Sequence, residues 1–438
     1  MTVPLEDIKR AGIVGSGGAG FPLHRKLGLK AKTFIVNGAE CEPLLETDKE
    51  ILKHHIEDVI SGIKEATTRT GAGEIFLAVK EKYGDLGEHL SRSLPAGITV
   101  VPLANAYPVG DEQVLIREIK GDIVPEGGLP LDRGIIVNNV ETMYHLGRFI
   151  KHGEPSVERF LTVAGEVKNP FVAKVPVGAS FAQIIDIACP AMPLDDLVVI
   201  DGGPMMGKFV DTEANVRKTT SGILLIPKGS KLVRQRTRTL KETAKIARSA
   251  CIQCRRCTDL CPRYLNGHRC EPHKWMRNLA FGEIEPNEIA YLCCECGLCE
   301  LMSCPMDISP RLIAGIHKRL LAEKGQKNEH YREKDPHTRE YYKERLAGTE
   351  RLCEHLGIDG YMTHPVLTDP GIEFSEVKID VSGHLGTPAK ICVKNGSHVE
   401  RGDVIAECPD DSGVYYHASI PGYIEIPNEK NVIIKRKR

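Results

Sequence analysis

Apolar and polar positions follow different rhythms in successive parts of the chain. From residue 1 to about 150, short apolar runs end in Gly or Asn and are separated by stretches of helical period. "KTFIVNGAE", "EIFLAVK", "GITVVPL" and "RGIIVNN" read as short buried strands. Between the first two, Ile51, Leu52, Ile56, Val59, Ile60 and Ile63 recur at helical spacing, with Gly71 as a stop. Strands alternating with helices predict an α/β layer around a mainly parallel sheet.

The rhythm changes from about residue 156 to 228. "RFLTVAGEVKNPFVAKVPVGASFAQIIDIA" reads as two strands, a turn at Lys168-Asn169-Pro170 and one helix, and "DLVVIDGGPMMGKFV" and "SGILLIPKG" add strands. One helix against a small mixed sheet predicts a compact α+β module. "KLVRQRTRTLKETAKIARSA" is a basic helical connection. Cysteines crowd residues 245–325, with helical patterns such as "SPRLIAGIHKRLLAEKG" after them. Residues 326–360 are strongly charged, which predicts a solvated helix or linker. From 371 to 438, short strands and turns predict a small all-β domain.

Composition narrows the class. The 438 residues leave room for roughly two to four domains. The chain is 41% hydrophobic and 27% charged, which marks folded protein. Its 58 basic and 59 acidic side chains give a net charge of -1, so nothing draws it as a whole to nucleic acid or anionic membrane. No apolar run approaches the roughly 20 residues of a membrane helix, and the N-terminus lacks a secretory signal pattern. A cytoplasmic protein without a direct membrane span is expected. In a reducing compartment its fifteen cysteines point to metal ligation before disulfides.

Two cysteine ladders carry the strongest chemical signal. Cys251, Cys254, Cys257 and Cys261 stand at x2, x2, x3 spacing and are followed by Pro262; Cys293, Cys296, Cys299 and Cys304 stand at x2, x2, x4 and are followed by Pro305. Three thiolates at this spacing wrap one face of a [4Fe–4S] cubane, and in two-cluster ferredoxins the fourth cysteine ligates the other cluster. Cluster one is therefore expected on Cys251, Cys254, Cys257 and Cys304, and cluster two on Cys293, Cys296, Cys299 and Cys261. Zinc is the competing reading of paired C-x2-C elements. Cys294 could replace Cys293, and Cys270 is a spare thiol nearby. Such a module is a wire, which implies a donor and an acceptor.

Upstream, "GIVGSGGAGFPLHRK" supplies Gly15, Gly17, Gly18 and Gly20. A dinucleotide-binding fingerprint is one reading, although its strand would be only Ile13 and Val14. Backbone amides of such a loop can cradle a phosphate, with Arg25 or Lys26 to neutralise it. "NGAECEP" ends one strand with Asn37, Glu40 and Glu42, and "VNNVET" ends another with Asn138, Asn139 and Glu141. Amides and carboxylates at carboxyl ends of strands are placed for a flavin ring or ribityl chain.

"GSGGAGFP", "NGAECEP", "YPVGDEQVLI" and "NNVET", followed by the ladders, resemble the 51-kDa flavoprotein family of respiratory complex I, and more nearly the C subunits of Rnf complexes. The domain order, and "CPRYLNGHRCEPHKWMR" after the first ladder, are similar to the cobalamin reductase family of propanediol-utilisation microcompartments. The resemblance implies a multidomain α/β protein. Its parts would be a Rossmann-like FMN and NADH domain over 1–155, a β-grasp (SLBB) domain over 156–230 and a helical ferredoxin-like two-cluster domain over 240–325. A charged helical linker over 326–370 and a barrel-sandwich domain over 371–438 would follow. FMN phosphate would meet Gly15, Gly17, Gly18 and Gly20 with Lys26 nearby, and Asn37, Glu40, Asn138 and Asn139 would line the flavin. Phe21 and Glu42 are the nicotinamide candidates. No side chain is expected to act as a covalent or acid–base catalyst.

The function implied is NADH oxidation through FMN and two [4Fe–4S] clusters, with the cobalt of cobalamin as possible acceptor. The alternative is an Rnf-C-like relay that takes electrons from a redox partner without binding NADH. Implied partners are NADH, cobalamin or a cobalamin adenosyltransferase, and a microcompartment shell or enzyme core; nucleic acid is not among them. The last segment also resembles lipoyl and biotinyl carriers, but "AECPDDSGVYYHA" lacks the acceptor lysine, so a structural or docking role is expected.

Overall fold

A computed structural model describes residues 2–282, 285–327 and 335–437. Five strands form in the first part: β1 (Thr33–Gly38), β2 (Glu74–Lys80), β3 (Ile98–Leu103), the two-residue β4 (Ala106–Tyr107) and β5 (Ile135–Asn139). All but β4 pair in parallel, in the order β3-β2-β1-β5. These four are the strands expected from the apolar runs. The periodic stretch after β1 divides into helices Thr47–His54 and Ile56–Thr70 at His55, whose φ of -132° leaves the helical region. Gly71 ends the second in the left-handed conformation, as expected. Helix Val140–His152 lies against Ile56–Thr70 with no room between the backbones. A β-carbon on Gly62 would strike the carbonyl of Met143, and one on Gly147 that of Asp58.

The glycine loop departs from a dinucleotide fingerprint. No strand leads into it and no full helix leaves it. Val14 and Pro22 form an isolated antiparallel bridge, so the loop doubles back before the five-residue helix Leu23–Leu27. Its amides therefore do not sit on the N-terminus of a long helix, and any phosphate contact must come from the loop itself.

The second sheet contains β6 (Glu158–Gly165), β7 (Phe171–Pro176), β8 (Leu197–Asp201), β9 (Lys208–Val210) and β10 (Gly222–Pro227), in the order β7-β6-β10-β8-β9. β6 and β10 are parallel and the other pairs antiparallel. Helix Phe181–Ala188 buries Phe181, Ile184 and Ile185 against Leu161, Val163 and Phe171 of this sheet.

The charged segment differs from the solvated helix or linker expected over 326–370. Residues 328–334 lie outside the described set. Beyond them, β11 (Ala347–Gly348) pairs with β4, and helix Thr349–Leu356 buries Leu352, Cys353 and Leu356 in a core shared with Leu44, Tyr107 and Leu301. The charges occupy one face, and a short apolar periodicity fixes the other.

The last seven strands are β12 (Glu376–Asp380), β13 (Lys390–Ile391), β14 (His398–Val399), β15 (Val404–Glu407), β16 (Tyr416–His417), β17 (Gly422–Asn428) and β18 (Asn431–Lys435). They form two small sheets, β12-β18-β17-β14 and β13-β15-β16. This part is all-β, but it is not a separate core. Val377, Ile379 and Ile405 pack in one continuous apolar cluster with Leu161, Val163 and Ile223 of the second sheet. Among the described residues no helix is long and apolar enough to cross a membrane.

Candidate flavin and iron–sulfur sites

The first site forms where the glycine loop folds over the carboxyl ends of β1 and β5. The loop is closed by Gly15 N donating to Phe21 O at 2.9 Å and tied down by Ser16 N donating to Thr142 Oγ1 at 3.0 Å. Arg159, only 2% exposed, braces it from below. Its guanidinium pairs with Glu141 at 2.8 Å and donates to Thr220 O at 2.8 Å and Ser16 O at 3.4 Å. Gly17 lies so close to Asn139 that a β-carbon there would stand 3.3 Å from the Asn139 side chain. The tip, Gly17 to Ala19, is exposed.

The strand-end amides are held by a carboxylate network. Asn37 Nδ2 donates to Gly110 O at 2.9 Å, and its Oδ1 accepts from Ala39 N at 3.1 Å. Asn139 Oδ1 caps the following helix through Glu141 N at 2.8 Å, while its Nδ2 donates to both oxygens of Asp48 at 3.0 Å. Glu40, at a φ of 36°, accepts from Asp48 N at 2.6 Å. Burial, and then the neighbouring Asp48, push the Glu40 carboxyl well above the usual range. Burial also lifts Asp48, to about 7, against the lowering effect of the Asn139 amide. These carboxyls thus hold a proton far more readily than exposed ones. Asn138 is 4% exposed, and its Nδ2 has no partner in the protein. An unpaired amide donor at the strand end, beside a loop that is crowded at Gly17 and left-handed at Gly20, fits a flavin carrying acceptor atoms and a phosphate.

Other expected ligand residues are already engaged. Lys26 Nζ donates to Val137 O at 2.8 Å and pairs with Glu112 at 3.1 Å. Glu42 accepts from Met205 N and Met206 N, both at 2.9 Å, so it anchors the "GGPMMG" turn of the second sheet. Burial raises its carboxyl. The half-buried Phe21 ring is covered by the Arg25 guanidinium at 5.7 Å.

The ladders fold as two copies of one loop. In the first, Gln253 and Arg255 flank Cys254 with φ of 53° and 63°; in the second, Glu295 and Gly297 flank Cys296 with φ of 58° and 82°. Each then enters a four-residue helix, Arg256–Asp259 or Leu298–Leu301. Paired left-handed residues turn the chain around the middle cysteine of each loop. Cys251, Cys254, Cys257 and, from the other ladder, Cys304 line one cavity. Burial, and then Cys304, Cys254 and Cys251, push the Cys257 thiol up to about 12. On the other side, burial followed by Cys294 and Cys261 pushes Cys293 up to about 12, and Cys261, Cys296 and Cys299 are all buried. A hydrogen bond from Cys296, despite burial, lowers Cys294 to about 7. Among the described residues no three His, Cys, Asp or Glu side chains close tightly enough to hold a single metal ion. The all-sulfur rings around each loop fit a cubane, which needs four thiolates around a larger body.

Contacts that the sequence did not signal join the two sites. Tyr107 is buried, and its hydroxyl donates to Cys296 O at 2.7 Å. Arg263 grips both oxygens of Asp111, at 2.5 and 2.9 Å, while Asp111 caps helix Glu112–Lys120. His268 bonds Val124 O at 2.9 Å, and Arg269 pairs with the buried Glu126. The quoted stretches "YPVGDEQVLI" and "CPRYLNGHRCEPHKWMR" contain most of these residues, but no periodicity revealed that they meet. The C-terminal β region meets the flavin side too: Leu385 N donates to Gly20 O at 3.2 Å and His384 packs on Gly20, beside Thr219 of the second part.

Residues 8–148 match the Nuo51 FMN-binding domain family and residues 250–309 the 4Fe-4S dicluster domain family. A cobalamin reductase PduS from Citrobacter freundii is 37% identical over 98% of this chain and 96% of its own length. Its counterpart from Salmonella typhimurium is 36% identical over the same shares. One component of the Na(+)-translocating ferredoxin:NAD(+) oxidoreductase complex of Acetobacterium woodii is 38% identical over 59% of this chain and 57% of its own. With matched flavin and dicluster domains and similarity along almost its full length, the chain belongs to the PduS family of cobalamin reductases.

Proposed function

We propose that the protein is an electron-transfer flavoprotein that oxidises NADH and reduces the cobalt of cobalamin through FMN and two [4Fe–4S] clusters. The observation that carries this reading is that the segment Tyr107–Asp111 touches both sides: Gly110 O accepts from Asn37 of the strand-end site, while Tyr107 bonds Cys296 O and Asp111 pairs with Arg263. When bound, FMN exchanges the two electrons of a hydride for single ones, and the clusters carry those singly. The protein binds, orients and insulates. The Gly15 amide is spent on Phe21 O, so the amides of Gly17, Gly18 and Gly20 would meet the phosphate; Asn138 Nδ2 would donate to the flavin, and Glu40 and Asp48 would keep a proton at its edge. Cys251, Cys254, Cys257 and Cys304 hold cluster one, and Cys261, Cys293, Cys296 and Cys299 hold cluster two.

In this reading the second sheet is a β-grasp (SLBB) unit and the last β region a barrel-sandwich fused to it through one shared core. Cobalamin or a cobalamin adenosyltransferase receives the electrons, and the protein works in the cytoplasm within a bacterial microcompartment. Anaerobic, reconstituted protein is expected to convert cob(III)alamin to cob(II)alamin on addition of NADH, followed by visible absorbance. Bleaching of the flavin without any change in the corrinoid would reject cobalamin as acceptor.

A second reading is a relay that receives electrons from another redox protein and does not bind NADH. The engagement of Glu42 with Met205 and Met206, and of Phe21 with Arg25, favours it. Stopped-flow mixing separates the two: rapid bleaching of the flavin by NADH alone excludes the relay.

A further inference from the structure

Cys270 belongs to neither ladder, and neither the flavin site nor the cluster loops give it a task. It is fully buried, 0% exposed, in the apolar core of the cluster region beside Trp275, Leu279 and Leu292. Its sulfur stands 3.8 Å from Cys261 Sγ, within hydrogen-bond reach for two sulfurs. The approach is built by the fold. Cys261 precedes helix Pro262–Leu265 and Cys270 precedes helix Pro272–Phe281. The eight residues between them are held against the flavin domain by Arg263, His268 and Arg269. The returning chain thus places a thiol directly behind the ladder sulfur. Cys270 is not among the residues lining the Cys251–Cys304 cavity, so its influence falls on one ring only.

We propose that Cys270 is a positioning residue whose S–H donates to the sulfur of Cys261 and raises the reduction potential of the cluster that Cys261 ligates. The proposal rests on the assignment of Cys261 as a ligand. A ligand sulfur is a thiolate and can only accept, and in this apolar surrounding the Cys270 thiol is the donor at hand. Hydrogen bonds to cluster sulfurs favour the more negative, reduced state and are one of the protein's levers on potential. Because this ring is the one in contact with Tyr107 and Arg263, the lever acts on the cluster nearer the flavin site.

The test is an anaerobic potentiometric titration of the holoprotein followed by electron paramagnetic resonance, with iron quantitation. Cys270→Ala is expected to keep both cluster signals and the full iron content. It should move the reduction equilibrium of one cluster about tenfold toward the oxidised form, which is about 59 mV for one electron. Cys270→Ser, which keeps a donor, should return that potential toward the unmodified value. Unchanged potentials in Cys270→Ala overturn the proposal. So does loss of one cluster's iron in both variants, which would make Cys270 itself a ligand. Cys261→Ala examines the premise separately: full iron content in that variant removes the ligand assignment, whatever Cys270 does.

Discussion

Asn138 has a buried amide donor without a protein acceptor, a feature that usually weakens a fold. If its partner is the flavin, replacing it separates binding from stability. Asn138→Leu is expected to weaken FMN binding about tenfold, the loss of about 1.4 kcal/mol from one hydrogen bond. The apoprotein should melt no lower than the parent, because the substitution removes an unsatisfied group. Flavin-fluorescence titration and thermal melts read the two effects independently. Asp48 makes a pH prediction. Its folded pKa of about 7 lies above the ordinary carboxyl value of 3.8, so the folded state keeps a proton that the unfolded chain has released. This contribution is full below the unfolded pKa and is lost as pH rises to about 7. Melting temperature should therefore fall with rising pH across that window more steeply in the parent than in Asp48→Asn. Equal slopes would place the proton elsewhere. At this scale the sequence was informative: Asn37, Glu40, Asn138 and Asn139 were visible because they end apolar runs. Asp48 and Arg159 were not, because their roles depend on a helix and a second sheet that spacing alone cannot bring together.

The two ladder loops share their left-handed residues, and this sets different tolerances. Gly297 adopts a φ of 82° with Arg311 Nη1 3.0 Å from where a β-carbon would stand. Gly297→Val should cost at least about 1–2 kcal/mol in backbone strain and lower iron retention in one cluster. Arg255→Gly, at the matching place in the first loop, should leave iron retention unchanged. Iron counts after desalting decide between them. The crossing of ligands is also tested at this level. Cys304→Ala should remove the resonance signal of the cluster otherwise built from Cys251, Cys254 and Cys257, whose cavity it lines. Loss of the other signal would mean that each ladder closes its own cluster. These elements were legible in advance because cysteine spacing is a covalent constraint. The buried face of the charged segment was not, because Leu352, Cys353, Leu356 and Ile358 are few and dispersed among charges.

Across the whole molecule, buried polar pairs join the flavin and cluster regions beside one shared apolar core that includes Leu44, Leu45 and Tyr107 with Leu298 and Leu301. Arg263 and Asp111 form the tightest of these, and against burial the guanidinium keeps the Asp111 carboxyl below its usual range. Arg263→Ala leaves that carboxylate unpaired and should destabilise the fold by about 3–5 kcal/mol, measured by chemical denaturation. The order of regions could be read along the sequence, but their fusion could not. Separate rhythms suggested separate domains, whereas the second sheet and the last β region share one core. The closing contact of that region falls on Gly20, a residue made near the start of synthesis, while its partners His384 and Leu385 emerge from the ribosome long afterwards. Under the proposed function, the loop around Gly20 would therefore gain its C-terminal cover only after most of the chain has been made. A lesion late in the reading frame would consequently show itself as a protein poor in yellow pigment, far from where the mutation lies.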